Sequence, residues 1–311
     1  MKRTVFLLSS LALAALSVPV EGNQTGPAPP RETKDRLPLE QLEDLVAGPM
    51  RTASKGDLPR AQQAFELLVE KSRRRHDGVR EADLLMAFGV QLFTRGGELD
   101  REDMLKLSPA YVARAIEVTR RAFGPDHPET ALALHTYGDL LVELQPDDPP
   151  EAAEAALAEA LSIRQATLGA DNHETLAAMR ALARVKAARF RTSGKLDEAA
   201  ELFHRAIEAS ERSAPFEYFL KPVSLRLDLV RAYAKAGRID DAVREARIVT
   251  DQAADDDGEC GFAAVEGSMI AESLEAERPA DAEILRGILS SQVDCLKQIM
   301  EQLEKEAAAQ K

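Results

Sequence analysis

The feature that most constrains this chain is self-similarity. FGPDHPETALALHTYGDLL opens at Phe123 and LGADNHETLAAMRALARV opens at Leu168, so Gly124 and Gly169 stand 45 residues apart. The segments that follow, PPEAAEAALAEALSIRQAT and GKLDEAAELFHRAIEAS, superpose Ala153 on Ala199, Leu157 on Phe203 and Ala160 on Ala206 at an offset of 46. A period of this size marks a stack of helical hairpins. One hairpin cannot bury its apolar face alone, so each uses its neighbours as core. The chain thereby declares a class of scaffold and leaves its partner unnamed.

A third copy extends the pattern. Tyr233, Gly237, Ala242, Ala246 and Val249 repeat Phe190, Gly194, Ala199, Phe203 and Ala206 at an offset of 43. With the turn Phe123-Gly124-Pro125-Asp126-His127-Pro128-Glu129-Thr130, these small and aromatic positions resemble the tetratricopeptide repeat family in its kinesin-light-chain form, over about residues 107–254. Two departures stand out: Ala170 and His173 replace Pro125 and Pro128 in the second turn, and Lys186 sits where an apolar packing residue is usual. The resemblance implies an all-α, right-handed solenoid of about six antiparallel hairpins. It also implies that the first helix of each hairpin lines a concave groove.

Composition agrees with that class. Trp is absent, aromatics are 5%, and charged residues reach 30% against 45% apolar, a mixture that favours solvated helices over a β core. The net charge of −13 repels phosphate backbones, so nucleic acid is not an expected partner.

The chain opens as an address. Lys2 and Arg3 precede an apolar run from Val5 to Val18, too short to span a bilayer comfortably. Cleavage is expected after Gly22 or Ser17, leaving an exported, periplasmic or secreted protein with no membrane insertion of its own. Residues 1–22 therefore read as a signal peptide, 23–36 as a flexible Pro- and Gly-rich leader, 37–254 as the helical-repeat solenoid and 255–311 as a capping hairpin.

Local signals place the helices. Leu37 to Ala47 reads as a short helix stopped by Gly48-Pro49. A second starts near Leu58 with Pro59 in its first turn, its inner stripe being Ala61, Phe65 and Leu68. A third, Arg80 to Thr94, ends at Gly96-Gly97. Glu98 to Leu107 reads as a charged insertion before a helix over Pro109 to Phe123, with Val112, Ala115, Ile116 and Thr119 inward. The remaining helices are expected over Pro128–Leu144, Pro150–Thr167, Asn172–Thr192, Leu196–Arg212, Val223–Ala236 and Ile239–Ala253. A final pair runs from Phe262 to Glu277 and from Pro279 to about Ala308.

Catalytic signatures are missing. The sequence has no Gly-rich phosphate loop, no HExxH and no nucleophile elbow, so no enzyme activity and no cofactor are expected. The five histidines are scattered; His127 and His173 sit in equivalent turns, where capping accounts for them better than a metal does. Asp255-Asp256-Asp257-Gly258-Glu259 lacks the alternating oxygen ligands of a calcium loop.

One pattern does point to binding. Arg180, Arg184 and Arg191 are spaced 4 and 7, and Arg231 and Lys235 are spaced 4 in the next first helix. On helices these spacings put each set on one face. Placed in the groove that the resemblance implies, they would seat an acidic or carboxylate-bearing peptide by charge-assisted bonds. The competing reading pairs them with carboxylates such as Glu174 or Asp228. The expected function is protein–protein recognition. The alternative is an accessory or self-assembling envelope subunit, with homo-oligomers possible, binding through its convex face or last helix.

Cys260 and Cys295 are the only cysteines. An exported chain with an even count is expected to pair them. Cys260 lies 18 residues before Arg278 and Cys295 lies 17 after it, level along an antiparallel helical pair. The other reading is two buried thiols acting as small apolar residues. Titration of the unfolded, unreduced protein decides it: no free thiol is expected, and two per chain would rule the bridge out.

Overall fold

The structure is a computed structural model that describes residues 39–215, 218–253, 270, 272, 274 and 278–289. All regular elements among the described residues are helical. In order they are α1 (Leu39–Ser54), α2 (Leu58–Arg74), α3 (Gly78–Glu98), α4 (Glu102–Ala122), α5 (Pro128–Leu144), α6 (Glu151–Leu168), α7 (His173–Ala188), the single turn α8 (Phe190–Ser193), α9 (Leu196–Ser213), a 3₁₀ turn (Tyr218–Leu220), α10 (Pro222–Ala236), α11 (Ile239–Ala253) and α12 (Pro279–Leu289). The chain divides into two compact units, Met1–Ile163 and Arg164–Lys311. Within each unit successive helices pack against one another. Their short connections make them antiparallel pairs, as the repeat predicts.

In the first unit Phe65 (α2) and Phe88 (α3) stack at 3.9 Å between ring centroids, and Tyr111 (α4) meets both edge-on at 5.4 and 4.9 Å. The two edge-to-face pairs are of the kind that adds to plain burial. Outside this aromatic centre Arg114 forks onto Glu66, with Nη2 to Oε2 at 2.9 Å. Backbones approach where side chains are smallest. A Cβ on Gly89 would fall 2.7 Å from Val112 Cγ2, and one on Gly138 would fall 2.5 Å from Leu157 Cγ.

The second unit is built on the positions that the repeat singles out. Ala199, Phe203 and Ala206 on α9, and Ala242, Ala246 and Val249 on α11, are all fully buried. In the first unit their counterparts Ala153, Leu157 and Ala160 are equally enclosed. Lys186, the misfit, is accommodated through its ammonium, which bonds Glu198 Oε2 at 2.6 Å.

Four local readings give way to packing. Helix α1 does not stop at Gly48 but continues through Pro49 to Ser54, because its buried stripe of Val46, Met50 and Ala53 carries on beyond the proline. Helix α3 runs through Gly96 and Gly97 to Glu98. There Gly96 admits Leu105 from α4, which a Cβ would meet at 3.0 Å. The supposed insertion is mostly helix: α4 starts at Glu102 and passes Pro109, held by buried Met104 and by a Ser108 hydroxyl that donates to Gly89 O at 2.8 Å. Finally, the helix expected from Asn172 to Thr192 breaks at Arg189, and its end is the separate turn α8, closed by Gly194 at φ 69°. The stripe of α2 is also corrected: Ala61, Phe65 and Val69 are fully enclosed, while Leu68 is only partly covered.

The turn chemistry matches its reading. His127 Nδ1 accepts from Glu129 N at 3.1 Å, and in the second copy Asn172 Oδ1 accepts from Glu174 N at 2.8 Å. These acceptors satisfy amides that a helix start leaves open. Asn172, not His173, is thus the capping equivalent of His127. The signal peptide, the leader, Cys260, Cys295 and most of the final helical pair lie outside the described residues.

Candidate functional site

Three of the five predicted cations, Arg180, Arg184 and Arg231, are brought together around one carboxylate. Asp228 sits mid-helix in α10 in the run VSLRLDLV, and its side chain is only 6% exposed. A carboxylate that deep needs partners. Arg180, from α7, donates Nε to Asp228 Oδ2 at 2.7 Å. Arg231, one turn along α10, donates Nη1 to Asp228 Oδ1 at 2.9 Å. Arg184, one turn along α7, is close enough for its charge to act on Asp228, yet it makes no hydrogen bond or ion pair among the described residues.

The electrostatics follow from that arrangement. Burial alone would raise the Asp228 carboxyl, but Arg180, Arg184 and Arg231 together hold it below its ordinary value. Burial lowers Arg180 from its usual value; Asp228 opposes this, while Arg184 and Arg231 add to it. Arg180 also lies 5.5 Å from the ring centroid of Phe219 in the 3₁₀ turn, within cation–π range. Arg180 and Arg231 occupy both carboxylate oxygens, so Arg184 adds positive charge beside an acceptor already engaged.

The other two predicted residues stand apart. Lys235 is exposed one turn beyond Arg231 and has no hydrogen-bonded or ion-paired partner among the described residues. Arg191 follows the helix break, on α8, with its guanidinium 5.6 Å from the Phe190 ring. The competing reading is half right. Asp228 does pair with the cations, whereas Glu174 belongs to Arg164, 3.4 Å away. The organising role of Asp228 and the contact with Phe219 go beyond what spacing shows. The signal available is an Asp between leucines on a largely apolar helix.

The same α10 carries a second ionic group on another side. Glu245 (α11), 8% exposed, accepts from Arg226 Nη1 at 3.0 Å and lies 3.4 Å from His204 Nε2. Arg226 also reaches Glu211 Oε1 through Nη2, at 3.6 Å. No described helix is long and apolar enough to cross a membrane.

Residues 110–129, from mid α4 through the Gly124 turn into the start of α5, match the tetratricopeptide repeat family. Two crystal structures of nearly identical TPR-like repeats of a Podosopora anserina kinesin light chain are similar to this chain. One, a glutamine-to-methionine variant, is 16% identical over 69% of this chain and 95% of that one, with a TM-score of 0.49. The other is 16% identical over 70% and 97%, with a TM-score of 0.48. No curated protein matches. By its repeat positions and its matched segment, the chain is similar to the tetratricopeptide repeat proteins.

Proposed function

We propose that the protein is a non-catalytic scaffold for protein–protein recognition. On this reading the face shared by α7 and α10 takes an extended acidic or carboxylate-bearing peptide. The observation that carries it is Arg184, a cation set beside a buried carboxylate whose oxygens Arg180 and Arg231 already fill. The Asp228 group fixes the neighbouring guanidiniums, so part of the cost of ordering the face is met before a ligand arrives. Arg184 and Lys235 supply donors that no described residue engages. Export, read from the leader, would place this activity outside the cytoplasm; a mature protein beginning between Val18 and Asn23 supports that, and an intact Met1 counts against it.

Arg231 is a poor choice for a binding test, because reversing its charge beside buried Asp228 would damage the fold. Arg184→Gln/Lys235→Gln is the cleaner variant, since neither side chain bonds a described residue and no negative charge is set beside Asp228. Capture of an alternating Asp-Glu hexapeptide, followed by fluorescence anisotropy, should weaken at least tenfold, with the melting temperature shifted by about 2 °C or less, as for surface changes. Wild-type affinity should also fall as salt is raised. Unchanged capture by the double variant would move recognition to another face or to the last helix.

A further inference from the structure

A second cationic feature lies in the first unit, where α1, α2 and α3 meet. The segment Glu70-Lys71-Ser72-Arg73-Arg74-Arg75 ends α2, and its basic residues divide into two sets. Arg73 bonds Glu81 at 2.8 Å and Arg74 bonds Glu70 at 2.9 Å. Lys71 and Arg75, with Arg80 from the first turn of α3, have no side-chain hydrogen bond or ion pair among the described residues. Instead all three line one small cavity. Its remaining walls are Leu45, Leu68, Leu84 and Ser72.

Ser72 is the informative member. It is 2% exposed and is the one uncharged polar side chain that lines the cavity. A favourable helix-end dipole accounts for basic residues in the last turn of α2. It does not account for three cations lining one cavity with a buried serine and three leucines.

We propose that this cavity is a binding site for a short aliphatic carboxylate. The three cations call for an anion, and the carboxylate oxygens can accept from Ser72 Oγ and from a guanidinium at once. The leucine walls favour an anion with an alkyl body over one hydrated on all sides. Size sets the limit. The volume open to the centre of a water-sized sphere is about 30 Å³, and one water needs about 10–15 Å³ by that measure. A carboxyl group with one or two carbons fits; a sugar or an aromatic ring does not. The carboxylate is either a free short-chain acid or the carboxyl terminus of a peptide ending in a small aliphatic residue.

Amide chemical shifts of the full mature chain test this with propionate, propionamide, inorganic phosphate, and acetyl-Gly-Ala-Ala in free-acid and amidated forms. Propionate should give saturable shifts confined to Leu45 and residues 68–75 and 80–84, and propionamide should give none. Arg75→Gln/Arg80→Gln should weaken the response at least tenfold and Ser72→Ala several-fold. Arg184→Gln/Lys235→Gln should leave it intact, which separates this site from the α7–α10 face. Tighter binding of the free-acid tripeptide than of propionate assigns the site to a peptide terminus; the reverse order assigns it to a free acid. Absence of a propionate response, equal shifts with propionamide or phosphate, or full binding by the Arg75→Gln/Arg80→Gln variant would overturn the proposal.

Discussion

Asp228→Ala should cost the second unit about 3–5 kcal/mol, the scale on which removing one partner of a buried ion pair is felt. The residue is 6% exposed and accepts from Arg180 and Arg231. Its loss leaves Arg180, itself only 22% exposed, beside Arg184 and Arg231 without the carboxylate that bonds it. Urea unfolding should show the midpoint fall with little change in slope. Asp228→Leu combined with Arg180→Met should recover most of the loss, because an apolar replacement of a buried pair is often neutral or better. A loss below about 1 kcal/mol for Asp228→Ala would place the carboxylate in the range of a surface pair. The acid limb gives an independent check. A carboxyl held below its unfolded value of about 4 stabilises the native state above that pH, and the contribution disappears as pH falls through the lower folded value. The wild-type protein should therefore lose stability below about pH 4 more steeply than Asp228→Ala does.

Gly138→Ala should destabilise the first unit despite placing a better helix former in α5. Alanine gains about 1 kcal/mol of helix propensity over glycine. Its Cβ would stand 2.5 Å from Leu157 Cγ and 2.9 and 3.0 Å from the two δ carbons. Leu157 is fully buried and cannot retreat into solvent, and overpacking of this kind costs about 1–3 kcal/mol. With approaches this short the clash outweighs the propensity, for a net loss of up to about 2 kcal/mol. Gly287→Ala is the control. That glycine is exposed within α12, with nothing within 4 Å of where a Cβ would stand, so the substitution should stabilise by about 0.5–1 kcal/mol. In a Leu157→Ala background the Gly138→Ala penalty should largely vanish, because the two side chains contend for one space. Equal behaviour of Gly287→Ala and Gly138→Ala would show that α5 and α6 are not held this closely.

How much is legible in the sequence depends on the range of the signal. The hairpin register is readable because it repeats: Ala199, Phe203 and Ala206 align with Ala242, Ala246 and Val249, and all six are enclosed. Helix ends are readable only where turn chemistry and packing agree, as at His127-Pro128. Gly96-Gly97 and Pro109 resemble breaks because propensity is a local quantity, whereas Leu105 filling the space over Gly96 and the Ser108–Gly89 bond are contacts between helices. The same distinction governs the site. Spacing puts Arg180 and Arg184 on one face of α7. No spacing rule says whether Glu174 or Asp228 meets Arg180, since Asp228 is 48 residues away. Arg191 shares the period but not the helix, because the chain turns at Arg189.

The alanines at the helix contacts have an evolutionary consequence. Ala199 on α9 and Ala242 on α11 hold the same repeat position and are both fully buried, so the close contact one hairpin offers there is of the kind the next requires. With stability summed over nearest neighbours, a duplicated hairpin would find its seat already made. A deleted one would leave two surfaces that still match. Such a chain can change length by whole units without a new core having to be found, and sequence drift between copies, as at Lys186, can then proceed one hairpin at a time.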